Sequence, residues 1–447
     1  MNAGEMQWIA DNLFVGNRLT SGDIRTSDGL QVDLRDIQSP IVVFCSWGDN
    51  ITPPQQALGW ITDIYRDDEE LIAGGQTIVY SLHESVGHLG IFVSGKIATR
   101  EHEEFASAMD MIDIMPPGLY EAIIDDIGED ASNRDLIEGD HLFRLEPRVL
   151  EDIRKLGGNS TEDELKFATV DRVSAINRRL YEQYLGPFIR AVTPPDFGDW
   201  QRKMHPNRVR FGIFSDENPA MQLVAETANH VRKQREPVDK GNFLSATENT
   251  LASTIGATLA AMGTARDTLT EQIFQITYGS PLLQALVGLD RDNVENGRKP
   301  GRDALHEQAR ASRRAELETL WDQGGAIEAS LRSVIYVRQA EGTIDERGFT
   351  VLKELHDAHA PGQSMAELKK LLRDQSLLMR LDQERAISAI PEILPADPEE
   401  RRRAFRAVRR IVTAAGRLGA EGKRRLKRIE QLFDIGGVTQ DPAKAHD

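Results

Sequence analysis

Between residues 30 and 110 the apolar positions come in short blocks separated by helix-like spacing, an alternation that predicts strand, helix, strand, helix. Ile41-Val42-Val43-Phe44-Cys45 is a continuous apolar run, preceded by Pro40 and ended by Gly48-Asp49-Asn50. This is the pattern of a strand buried on both faces of a parallel sheet. Pro53 and Pro54 can open a helix carrying Leu58, Ile61 and Ile64, and Thr77-Ile78-Val79-Tyr80 reads as a second short strand. After Gly87-His88 a helix is expected from Ser94 to about Met111.

From about residue 115 the pattern predicts helix after helix, interrupted by Pro116-Pro117, Gly157-Gly158-Asn159-Ser160, Pro194-Pro195 and Pro237. Thr161 to Leu165 offers a capping pattern, and Arg172 to Leu185 carries apolar residues at helical spacing. Val209 to Phe214 alternates enough to be a strand or an extended link, whereas Leu251 to Leu289 reads as largely helical and apolar. The polar, Gly- and Pro-punctuated stretch 291–314 is the expected linker. Beyond it, Ala340-Glu341-Gly342-Thr343-Ile344-Asp345-Glu346-Arg347-Gly348 matches Ala414-Ala415-Gly416-Arg417-Leu418-Gly419-Ala420-Glu421-Gly422 at an offset of 74 residues. Each copy reads as a helix end, a glycine turn and a new helix, so the C-terminal region is expected to be two related helical hairpins. The organisation expected is therefore a partial α/β-hydrolase-type sheet over 1–115, a helical extension over 116–290, the linker, a separate all-α domain over 315–435 and a tail over 436–447.

Composition narrows the function classes. A length of 447 residues calls for more than one core. With 28% charged residues and a mean hydropathy of −0.42, no run approaches the roughly 20 apolar residues of a spanning helix. Met1 to Asp11 holds no Lys, Arg or apolar core of a secretory signal, so a cytoplasmic chain without a transmembrane segment is expected. Cys45, the single cysteine, excludes an internal disulfide and any multi-cysteine zinc site. Of the net charge of −17, residues 1–150 carry −18, from 27 acidic against nine basic residues, which disfavours nucleic acid as a partner. Arg401 to Glu430 is the opposite, with twelve Lys and Arg against two Glu. Phe405, Val408, Ile411 and Val412 lie between those arginines, so an amphipathic helix with a cationic face is expected, one that could dock on the acidic front half.

The chemistry-bearing loops are Trp47-Gly48-Asp49-Asn50-Ile51-Thr52-Pro53-Pro54 after the first strand and Leu82-His83-Glu84-Ser85-Val86-Gly87-His88 after the second. An acid after one strand and a Gly-His after the next is the order in which α/β-hydrolases present the later two members of a catalytic triad. Gly16-Asn17-Arg18-Leu19, Asp33-Leu34, Gly48-Asp49-Asn50 with Pro53-Pro54, and Gly87-His88-Leu89-Gly90-Ile91-Phe92-Val93-Ser94-Gly95-Lys96 resemble the closing third of polyhydroxyalkanoate synthase catalytic domains. Residues 5–290 as a whole are similar to synthase-like proteins of a proteobacterial family known only as a domain of unknown function.

That resemblance implies that Asp49 orients His88 and that His88 is the general base for a nucleophilic thiol or hydroxyl, which takes an acyl group from a hydroxyacyl-coenzyme A thioester. His83 is the rival ring. No Gly-x-Ser-x-Gly or Gly-x-Cys-x-Gly occurs, and the 48 residues before Asp49 cannot hold the strands and nucleophile elbow that the family places first. A split, truncated or degenerate relative is therefore expected, one that associates with a missing N-terminal catalytic half or with itself. Cys45, inside the strand, reads as a core hydrophobe, and His102 in Glu101-His102-Glu103-Glu104 as part of a solvated helical face. The two glycine turns and Ile390-Pro391-Glu392-Ile393-Leu394-Pro395 resemble TerB-like helical domains. No cofactor or metal is expected. Two functions stand side by side: an acyltransferase or esterase acting on a hydroxyacyl or polyester substrate, and a non-catalytic scaffold built on a remnant hydrolase half.

Overall fold

A computed structural model describes residues 2–434 except 91–94, 96, 97, 129–131, 138, 159, 237, 240, 290–302, 360, 361 and 363. The chain divides into two compact units, one of residues 17–158 with 297–447 and the other of residues 1–16 with 159–296.

The first unit is built on a five-stranded sheet in the order β1-β2-β3-β4-β5. Its strands are β1 (Ile41–Ser46), β2 (Thr77–His83), β3 (Gly118–Asp126), β4 (His141–Arg148) and β5 (Ile344–Asp345). β1, β2 and β3 are parallel neighbours, with Ser46 level with His83, and β4 and β5 are added antiparallel. Helix α1 (Pro54–Ile64) starts on Pro54 and follows β1, and α2 (Asp68–Ala73) is capped by Asp67. Successive β2 residues point to opposite faces, which is why a continuous apolar run suits it. Ile78 and Tyr80 pack with Leu58, Ile61, Leu71 and Ile153 on one face. Val79 packs on the other with Met111, Ile112, Phe143 and Leu145.

Two strands lie where only helices were expected. In β4, Phe143 and Leu145 are buried while Arg144, Glu146 and Arg148 point away, the two-residue alternation of a strand. Their charges are met across the ladder: Arg144 pairs with Asp125 and Arg148 with Glu121, at 2.8 Å. Such cross-strand pairs let charged residues occupy a strand. The Pro116-Pro117 breaker therefore separates a helix from β3 rather than one helix from the next.

Among the described residues, the regular elements of the second unit are all helices. It includes Ala3–Ile9 and α3 (Thr161–Leu180), the latter opened by a reciprocal Ser160/Asp163 capping box. Beyond the helices Gly186–Val192 and Pro195–Met204 come α4 (Pro206–Phe214) and α5 (Pro219–Lys233), then α6 (Phe243–Tyr278), of 36 residues. Val209 to Phe214, expected as a strand or link, lies in α4: Pro206 supplies a first-turn proline and His205 Nδ1 accepts from Asn207 N at 3.3 Å.

The expected linker is not wholly a linker. Residues 291–302 lie outside the described residues, but Asp303–Glu318 forms a helix. The C-terminal hairpins are α7 (Ala326–Arg338) with α8 (Glu346–His359), and α10 (Pro398–Val412) with α11 (Ala420–Leu432); α9 (Met365–Leu381) lies between them in sequence. Tyr336, Val337, Leu378, Val408, Val412, Ile429 and Phe433 share one core. Arg332 is fully buried there and donates to Gln375 Oε1 and to the carbonyls of Leu320, Trp321 and Ala386. The 74-residue repeat is an exchange between copies. Asp345 caps its own helix by accepting from Arg347 N at 3.0 Å, whereas the matching position is Gly419, whose N–H is met by Glu341 of the other copy at 3.1 Å.

These helices, expected as a domain over 315–435, have a core of their own and lie in the same compact unit as the sheet. β5 extends the sheet, Phe143 N donates to Glu346 Oε1 at 2.9 Å, and Lys353 pairs with Asp110. The physical reason is that β4 has a free edge, and Ile344–Asp345 satisfies part of it. Lys353, Lys369 and Arg380 pair with Asp110, Asp113 and Glu69 of the acidic front half, while in the basic run Arg410 pairs with Glu354, Arg428 pairs with Glu384 and the Ala414 carbonyl accepts from Asn133 of the front half at 2.9 Å. The expected tail, 436–447, lies outside the described residues.

Candidate functional site

Asp49 and His88 both lie just past the C-terminal ends of neighbouring parallel strands, where open α/β sheets collect functional groups. Trp47 N donates to His83 O at 2.9 Å, extending the ladder one residue past β1, and Asp49 N returns to Ser46 O at 3.1 Å. Gly48 lies between. A Cβ there would fall 2.4 Å from the carbonyl carbon of Ser85, so the two loops close only because position 48 has no side chain.

The Asp49 carboxylate is fully used. Oδ1 accepts from Ile51 N at 2.8 Å and Thr52 N at 3.0 Å, while Oδ2 accepts from Thr52 Oγ1 at 2.7 Å and meets His88 Nδ1 at 2.9 Å. The residue is 3% exposed. Burial by itself would raise its pKa, but donation from Thr52 N, His88, Ile51 N and the Thr52 hydroxyl outweighs this and holds it well below the usual carboxylate range. An ionised carboxylate can only accept, so His88 must donate from Nδ1, which leaves Nε2 as the basic nitrogen. The His88 side chain is 40% exposed, so its ring reaches solvent.

His83 does something else. Its Nδ1 accepts the N–H groups of Ser85 and Val86, both at 3.2 Å, and its Nε2 faces Glu101 Oε1 at 3.7 Å. Nδ1 thus fixes the turn that leads to His88. Cys45 is 2% exposed, donates to Ser81 O at 3.4 Å, and has its pKa pushed up to about 12 by burial and then by the charge of Glu121. A thiol in that state is a core side chain and not a nucleophile. His102 is exposed. Among the described residues no three His, Cys, Asp or Glu side chains form a group that could hold a metal ion. The string Ile91 to Ser94, with Lys96, lies outside the described residues. Thr52 was missed in the sequence, although an Asp three residues ahead of a Thr, just before a proline-opened helix, is the spacing at which an aspartate accepts local N–H groups.

The family model described as "Protein of unknown function (DUF3141)" matches residues 1–320. The chain belongs to this family. It is also 43% identical over 444 residues to a Rhizobium meliloti protein described as "Uncharacterized protein in ackA 5'region", a match that takes in 99% of this chain and 61% of that protein. The chain thus spans about three fifths of that relative's length. No solved structure matches. No helix among the described residues is long and apolar enough to cross a membrane.

Proposed function

We propose that Asp49 and His88 are the acid and base of an α/β-hydrolase-type acyl-transfer or ester-hydrolysis site whose nucleophile lies outside these 447 residues. The observation that carries this reading is the 2.9 Å contact between Asp49 Oδ2 and His88 Nδ1, at the C-terminal ends of adjacent parallel strands with the ring open to solvent. In such a site Nε2 would take the proton of an attacking thiol or hydroxyl and return it to the leaving group, while Asp49 stabilises the imidazolium.

β1 supports the same reading. It has the apolar sequence of a strand flanked on both sides, yet among the described residues it pairs only with β2 and carries none of the lysines or prolines that blunt a true edge. The remainder of a longer family member would supply a neighbouring strand and the nucleophile. The resemblance to polyhydroxyalkanoate synthases makes a hydroxyacyl-coenzyme A thioester the first substrate to try, in the cytoplasm. The purified chain is expected to turn over neither that thioester nor a p-nitrophenyl ester. Mixed or co-expressed with the remaining segment of the longer relative, it should gain turnover that His88→Ala abolishes. Turnover by the chain alone would mean that a nucleophile within it has been overlooked. If activity of the pair survives His88→Ala, the assignment of the base is wrong.

A scaffold without chemistry, with a TerB-like C-terminal part, is the competing reading. What favours it is the helical unit, in which most of the large apolar side chains among the described residues are exposed.

A further inference from the structure

Helix α6 carries Ile255, Met262, Leu269 and Ile276 at an unbroken spacing of seven residues, with Leu251, Leu259 and Ile273 filling in at three or four residues from them; the matching position between Met262 and Leu269 is Arg266, whose guanidinium donates to Asp267 of the same helix. All seven are 55% or more exposed. Within its own unit the helix is covered on a different side: Phe274 packs on Phe167 of α3, with ring centroids 5.4 Å apart, and Phe274 lies about 200° around the helix from Ile276. The apolar seam therefore has no partner among the described residues.

We infer that this seam pairs with the same helix of a second copy of the chain. A straight α-helix drifts by about 20° for every seven residues, so a strict seven-residue repeat stays on one line only where two helices wind around each other. Three such intervals, in a helix about 54 Å long, give enough turns for a coiled coil. Thr258 and Ala265, between the large seam residues, are small enough to let two backbones approach. Only Glu248, Arg266, Asp267 and Glu271 are charged along the 36 residues. That lacks the basic flank by which an interfacial helix holds an anionic lipid surface. The helix also lacks the repulsive rows of like charge that would keep two copies apart.

Sedimentation equilibrium of the full chain at micromolar concentration tests this. The wild type is expected to be a dimer or larger, the double variant Met262→Glu/Leu269→Glu should associate at least tenfold more weakly, and Thr264→Glu, off the seam, should associate like the wild type. Circular dichroism of each variant checks that helix content is kept, and Met262→Ala/Leu269→Ala, which adds no charge, should weaken association in the same direction. A monomeric wild type would overturn the inference, as would seam variants that associate unchanged. So would a wild type that stays monomeric and floats with phosphatidylcholine vesicles, which would assign the seam to a lipid surface. None of these outcomes depends on the catalytic reading.

Discussion

Phe143 and Phe211 are the same side chain in two regions of one molecule, the first fully buried and the second 70% exposed. The sheet-containing unit sandwiches its apolar residues between strands and helices on both faces, and its C-terminal hairpins close over a core of their own. In the helical unit, Leu165 is the one large apolar side chain among the described residues that is buried, while Phe188, Trp200, Phe211, Leu223 and the seam of α6 face outward. Both regions have amphipathic helices. What differs is the second layer: a helix can bury a stripe only against something, and the sheet supplies that something in one unit alone. The Asp49–His88 pair lies at the end of the sheet.

The comparison breaks if the two phenylalanines behave alike. Phe143→Ala is expected to cost about 3–5 kcal/mol, the range for emptying a buried aromatic site, and Phe211→Ala less than about 0.5 kcal/mol, both read by chemical denaturation. Equal losses would mean that the helical unit has a core of its own. A smaller effect is expected at Gly48, where a methyl group meets the backbone of Ser85. Gly48→Ala should destabilise by about 1–3 kcal/mol, as overpacking does, and should separate Asp49 from His88, read as loss of the change that Asp49→Asn otherwise causes in the His88 resonances. The smallest effect is at the exchanged cap. Glu341→Ala should cost about 1 kcal/mol, and adding Gly419→Asp should restore most of it, because it rebuilds at the second copy the cap that Asp345 gives the first. A double variant no more stable than Glu341→Ala would show that the cap is not what Glu341 contributes.

The parts of this fold that could be read from the sequence are those where one residue pattern has one physical meaning. The continuous run Ile41 to Cys45 forms the strand it was expected to form, although of its five residues only Cys45 is buried, and the 74-residue repeat is duplicated structure. β3 and β4 were passed over because Glu121, Arg144, Glu146 and Arg148 look like helix surface until their cross-strand partners are known. The pairing of Asp49 with His88 was expected from loop order together with the Gly-His-Leu-Gly-Ile-Phe string. The anchor Thr52 and the clearance at Gly48 were not, because each depends on how closely two loops approach, a distance that residue types do not state. For the same reason, Glu341 was visible as part of a repeat but not as the cap of the other copy's helix.

The central claim is that His88 is held by Asp49 as a base with its free nitrogen outward, and two-bond ¹H–¹⁵N correlation of the imidazole rings tests it most directly. The neutral ring of His88 is expected as the Nδ1–H tautomer, a pattern lost in Asp49→Asn; an Nε2–H tautomer, or a spectrum indifferent to that substitution, would overturn it.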